Sequence, residues 1–226
     1  WQSYVLHASL INALITISTF FVLKNFKLKT IYCFLYSLLF SILAYPSSGT
    51  PFADQHSAFF SLLGIYSLLL AINNQRKLYW VLIPVFLGFA FLSKQVPASY
   101  VILSVSFILL LYSFINNKFD CIKYSFVSSV SFVFLILIFG KSQGITISSF
   151  LDQYIFYPQT VGAERINNFN FTFNGVIGHF KFIYFAIIPL LYENLKKIFS
   201  NKNYIKHNNF YIFLVLLFLT FSLILH

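Results

Sequence analysis

Along its length the chain alternates long apolar runs with short polar breaks. Eight apolar runs stand at about residues 3–23, 30–45, 57–72, 78–92, 97–115, 124–139, 180–195 and 210–225. No period-two alternation marks a barrel strand, so the runs read as helices. Several are nearer about 16 residues than the roughly 20 that cross a hydrocarbon core. Tyr, Trp, Ser and Lys at their ends extend the reach by snorkelling and anchoring at the interface. The pattern predicts an all-α, polytopic transmembrane helical bundle of about eight spans.

Composition agrees with that class. Hydrophobic residues make up 59% of the chain and charged residues 9%, with a mean hydropathy of +0.80, as in an integral membrane protein. The net charge of +10 does not point to nucleic acid, because the basic residues are scattered between apolar runs and do not form one face. They fit membrane topology instead. Lys24, Lys27, Lys29, Arg76, Lys77, Lys118, Lys123, Lys196, Lys197, Lys202 and Lys206 fall in alternate loops, eleven of the fifteen basic residues, which marks that side as cytoplasmic. Lys94, Lys141, Arg165 and Lys181 fall on the opposite side with Asp54, Asp152 and Glu164. The outer face is the chemically mixed one. Cys33 lies near the cytoplasmic end of the second run and Cys121 in a cytoplasmic loop, where thiols stay reduced, and both read as packing residues. No short His/Cys/Asp/Glu spacing suggests zinc, and no glycine-rich phosphate loop is present.

Two polar stretches carry the candidate chemistry. The first, AYPSSGTPFADQHS from Ala44 to Ser57, brings two prolines, a glycine, an acid and a histidine together between apolar runs. Asp54 also fits an N-cap of the third helix, and Lys94 a snorkelling lysine at a helix end. The second is the outer loop at about 140–179, too long for a simple connector. Ile147, Phe150, Leu151 and Tyr154 recur at helical spacing, with Ser148 or Ser149 to cap the start and Pro158 to end it, so the loop is expected to hold an interfacial helix. Asp152 and Gln153 would then face water or substrate. The following YPQTVGAERINNFNF offers Tyr157, amides and the Glu164–Arg165 pair, a mixture suited to a sugar or phosphate headgroup and equally to an ordinary solvated loop.

Three separated pieces, AYPSSGTPFADQHSAFF, the helix end GFAFLSKQVPA and the long outer loop after two further spans, occur in an order that resembles the polytopic C-type glycosyltransferases. These are the bacterial relatives of protein O-mannosyltransferases and aminoarabinose transferases, which use polyprenyl-phosphate-linked sugars. The resemblance covers about residues 8 to 180, and GFAFLSK is similar to the family's Gly-Leu-x-x-Leu-Thr-Lys pattern with Ser93 in place of Thr. It implies one membrane glycosyltransferase-like domain over residues 1–226, with Asp54 as the second outer-loop acid of the active site and Lys94 as the cation near the lipid phosphate. His56, Asp152, Tyr157, Glu164 and Arg165 are the further substrate-binding candidates. The family's first catalytic acid would lie upstream of Trp1, so the chain, which opens WQSYVL and contains no Met, is expected to be a piece of a longer protein that is inactive alone.

The implied reaction moves a sugar, with inversion, from a polyprenyl phosphate donor in the bacterial inner membrane to an acceptor on the outer face. A carboxylate would serve the acceptor hydroxyl and a cation the departing phosphate. The implied partners are membrane lipid and the lipid-linked sugar, with no cofactor indicated and divalent metal, sugar and acceptor left open. A glycolipid transporter or flippase is the first alternative, but the ionisable residues lie at span ends and no internal repeat is evident. A surface-polysaccharide polymerase or ligase is the second; it would concentrate basic residues in the long loop, which here is charge-balanced. The charge bias makes a direct prediction. A cysteine placed at Ser48 reacts with a membrane-impermeant thiol reagent on intact cells and one placed at Asn74 does not; the reverse pattern inverts the orientation.

Overall fold

A computed structural model describes residues 2–44, 53–160, 178 and 180–224 of the chain. The described residues form helices α1 Gln2–Asn25, α2 Thr30–Ala44, α3 Ala53–Asn74, α4 Lys77–Ser93, α5 Gln95–Asn116, α6 Asp120–Ser142 and the short α7 Ile147–Leu151. α7 runs on into a π-helical turn, Asp152–Phe156; α8 Lys181–Ser200, a 3₁₀ turn Lys202–Lys206 and α9 Asn208–Ile224 follow. No strand occurs among them. Each apolar run of the sequence corresponds to one long helix. Four of these, Val5–Asn25, Ala53–Asn74, Gln95–Asn116 and Asp120–Ser142, are long and apolar enough to cross a membrane. Thr30–Ala44, Lys77–Ser93 and Asn208–Thr220 are apolar but shorter, and α8 carries Glu193, Lys196 and Lys197 in its last turns.

Polar contacts between the connections show that α1 to α6 run up and down. At one end Asn73 Nδ2 donates to Asn25 Oδ1 at 2.9 Å and Lys118 Nζ to Gln75 Oε1 at 2.9 Å, bringing the α1–α2, α3–α4 and α5–α6 turns together. At the other end His7 of α1 touches His56 of α3, and Lys94, between α4 and α5, pairs with Asp54. The main buried cluster includes Leu68 and Ile72 of α3, Trp80 and Ile83 of α4, Ile108 and Tyr112 of α5, and Tyr211 and Val215 of α9; Ile11 and Ile15 of α1 pack on Phe59 in a second. Large apolar side chains such as Leu43, Phe182, Phe185 and Phe199 point outward, a surface suited to lipid or a partner rather than water.

α4 is packed against both α3 and α6, and glycine sets both approaches. A Cβ built on Gly64 would stand 2.8 Å from Leu87 Cδ2, and one on Gly88 would stand 2.3 Å from Phe132 Cε1. Only residues without a Cβ let these helices come so near. The closeness matters because α4 contains Pro84, which has no N–H to offer the carbonyl of Trp80 four residues earlier. Ser125 of α6 supplies the missing donor, its Oγ reaching Trp80 O at 3.0 Å, and Ser128 Oγ reaches Val81 O at 2.7 Å. Elsewhere hydroxyls fold back onto their own helix, as Thr16 does to Asn12 O at 2.7 Å and Ser67 to Leu63 O at 2.8 Å, which satisfies them in an apolar surround.

Several local expectations are corrected. α7 is capped by Thr146, whose hydroxyl accepts from Ser149 N at 3.2 Å, not by Ser148 or Ser149. The π turn adds one residue, so Ile155 and not Tyr154 follows Ile147, Phe150 and Leu151 along one apolar face, while Tyr154 stacks on Phe150 at 4.9 Å. Pro158 does not end the helical path, which continues through 157–160; the wide turn's bond runs from Tyr157 N to Asp152 O, and Pro158 brings no N–H needing a partner. α6 begins at Asp120, so Cys121 is helical rather than in a loop. Both cysteines are free and buried.

The Pro84 arrangement is testable in purified protein. Ser125→Ala orphans the buried Trp80 carbonyl and lowers stability by about 1–3 kcal/mol in denaturant titration. Ser18→Ala, whose hydroxyl is exposed and bonds only its own helix, stays within about 0.5 kcal/mol.

Candidate functional site

Asp54 and Lys94 meet where α3, α4 and α5 come together. Asp54 lies in the first turn of α3, one residue after its start at Ala53, where the helix dipole favours a negative charge. Its partner is the Lys94 ammonium, which donates to Oδ1. The carboxylate thus serves a side chain forty positions away, from a place inside the helix and not at its cap. Lys94 is the single non-helical residue between α4 and α5, extended at φ −159°, ψ 122°. Its N–H bonds Ala90 O at 3.0 Å, and its carbonyl accepts from the Oγ of fully buried Ser57 at 3.2 Å. Asp54 and Ser57, three apart on α3, thus hold the side chain and the backbone of one residue.

The ion pair is accessible. The Asp54 side chain is 58% exposed and that of Lys94 34%, so water screens the attraction and its net worth is about 1 kcal/mol or less. Either group can exchange its partner for a ligand at small cost to the fold.

Two residues on from Asp54 in α3, His56 Nε2 lies 2.9 Å from His7 Nε2, with the rings stacked at 5.1 Å between centroids. One nitrogen must carry the proton and the other accept it, so the two imidazoles hold a proton between them. The site also contains polar groups that sequence reasoning passed over. Gln55, beside Asp54, has both side-chain polar atoms buried with no hydrogen-bond partner among the described residues. Asn12 of α1 donates to Ser41 O at 2.9 Å and to Ser41 Oγ at 3.1 Å, yet its Oδ1 is buried with no partner among the described residues. A polar amide inside an apolar span was the available signal for Asn12; for His7 and Gln55 there was none, because their surroundings come from the packing of α1 on α3.

The remaining candidates separate. Asp152 and Tyr157 lie on the π turn and just after it, both exposed, and neither bonds Asp54 or Lys94. Glu164 and Arg165 lie outside the described residues. What α7 contributes is apolar. With α4, α5 and α6 it encloses a groove of about 520 Å³, lined by Leu87, Phe91, Leu109, Phe132, Ile136 and Ile155 among others. Phe91 and Leu92 bring the groove wall to within two residues of Lys94. Among the described residues no group of three or more His, Cys, Asp or Glu side chains could hold a metal ion.

Comparison with protein-family models, with curated proteins and with solved structures finds no match. The chemistry of the site therefore rests on its geometry.

A double-mutant cycle with Asp54→Asn and Lys94→Gln measures what the pair contributes to the fold. The coupling in thermal or denaturant stability should be about 0.2–1 kcal/mol; a coupling above about 2 kcal/mol would make the pair a structural anchor instead of an exchangeable one.

Proposed function

We propose that the chain is part of an integral membrane glycosyltransferase that moves a sugar from a polyprenyl phosphate donor to an acceptor outside the cytoplasm. In this reading the eight long helices lie in a bacterial inner membrane with the Asp54–Lys94 end facing outward. One observation carries the reading: an accessible carboxylate–ammonium pair stands at the helix ends beside an apolar groove between helices. The combination suits a donor with a charged head and a long hydrocarbon tail. The charge bias of the loops supports the orientation, and the motif resemblance supports the class.

The mechanism follows from exchange of partners. Donor binding gives Lys94 a phosphate in place of Asp54, which frees the carboxylate. The acceptor hydroxyl oxygen then attacks the anomeric carbon while the bond from that carbon to the phosphate oxygen breaks. The phosphate leaves with the electron pair, its charge held by Lys94, and Asp54 orients the acceptor hydroxyl and takes up its proton as the new bond forms. The His7–His56 contact between α1 and α3 lies at the same end of the bundle and offers further polar groups to the sugar or acceptor. The buried Asn12 inside α1 favours one competing reading, a glycolipid transporter.

Asp54→Asn in the full-length protein separates these roles. It keeps the volume and removes the charge, so transfer of labelled sugar from a polyprenyl phosphate donor should fall about a hundredfold or more at unchanged melting temperature. Near-normal turnover removes Asp54 from the mechanism, and a wild type that carries lipid-linked sugar across vesicles without transferring it favours the transporter.

A further inference from the structure

The end of the bundle opposite Asp54 holds a second cavity, of about 460 Å³, lined by Gln75, Lys77, Trp80, Lys118, Asp120 and Tyr124 among others. It lies where the α3–α4 and α5–α6 turns come together, and left-handed backbone at Gln75 (φ 56°) and Asn117 (φ 53°) shapes both turns. The walls are held by hydrogen bonds. Gln75 Nε2 donates to Ile72 O at 2.6 Å and to Tyr112 OH at 2.5 Å. Gln75 Oε1 and Tyr112 OH in turn accept from Lys118 Nζ at 2.9 and 3.4 Å. Tyr112 is itself fixed, stacked on Trp80 at 5.7 Å and edge-on to Tyr211 at 4.9 Å. Lys118 is thus positioned by neutral acceptors, and Lys77 lies over the Tyr124 ring at 5.4 Å. Among the described residues neither lysine has a carboxylate within ion-pair distance.

Two further features give the cavity a sign and a level. α4 and α6 both begin at it, with Lys77 and Asp120 as their first residues, and neither N-terminus has a side-chain cap. Their dipoles add positive potential to that of the lysines; Asp120 is the one acid in the wall and opposes it. The cavity sits at the helix ends, with Trp80 and Tyr124 one turn further in, the level of a membrane interface. Exposed apolar side chains, Leu78, Phe114 and Phe119, stand beside it, a surface for acyl chains next to a seat for an anion.

We propose that this cavity binds the phosphate of an anionic glycerophospholipid headgroup, with Lys77 and Lys118 as its ligands and the chain ends of α4 and α6 beside them. The apolar flank distinguishes such a ligand from free phosphate, which has no use for it. The proposal rests on the membrane-spanning reading and not on sugar transfer, so loss of one leaves the other intact.

The test is lipid retention by the full chain in phosphatidylcholine nanodiscs containing graded phosphatidylglycerol, read by native mass spectrometry, with melting temperature recorded beside it. Wild type should retain phosphatidylglycerol in preference to phosphatidylcholine. Lys77→Gln and Lys118→Gln should each weaken that retention about fivefold, and the double variant about twenty-five-fold, while Lys118→Arg keeps it. Lys77 is exposed and takes no part in the Gln75–Tyr112 network, so Lys77→Gln keeps the test valid if Lys118→Gln does not fold. Equal weakening by Lys196→Gln, on the same basic face but outside the cavity, would reduce the effect to general surface attraction and overturn the site. Displacement of the lipid by millimolar inorganic phosphate in wild type would overturn the lipid assignment.

Discussion

A backbone carbonyl without a donor in an apolar surround costs more than almost any other local defect, and α4 carries one by necessity at Trp80, because Pro84 cannot supply the N–H. The Ser125 hydroxyl reaches it from α6, which is possible only because α6 lies close, and Gly88 under the Phe132 ring permits that approach. The opposite flank of α4 is fixed in the same way by Gly64 under Leu87. Proline, serine and glycine on two helices therefore form one constraint. It sets where α4 ends, and so where Lys94 stands relative to α3.

The two ends of the bundle show how the same residue type serves different surroundings. Lys94 meets a carboxylate and is accessible; Lys118 meets an amide oxygen and a phenol, with no carboxylate within ion-pair distance among the described residues. One end is nearly neutral and the other distinctly positive. In a membrane the positive end belongs on the side where anionic lipid and the inside-positive bias coincide.

The helices were legible because an apolar run of such length has few other uses, and each of the eight runs corresponds to a helix. Spanning length was less legible: the apolar stretches of α2, α4 and α9 are shorter than the four that are long enough to span, and α4 is bounded by the break at Gln75–Arg76 and by Lys94. Asp54 and Lys94 stood out through the motifs around them, yet their direct contact depends on α3 and α4 packing side by side, which no local pattern states. His7 and His56 are forty-nine positions apart and were invisible as a pair for the same reason. The π turn after α7 was missed because a one-residue widening leaves apolar spacing almost unchanged, although it moves Ile155 into the groove and Tyr154 out of it.

The junction between α4 and α5 is one residue long, and α3 grips that residue twice, by carboxylate on its ammonium and by the Ser57 hydroxyl on its carbonyl. Such a joint has no slack. A ligand that takes the ammonium away from Asp54 leaves the hydroxyl grip in place, and Ile83, Leu87, Val101 and Val105 stay packed in the core shared with α3. The ammonium can therefore change partner while the backbone that carries it stays where it is.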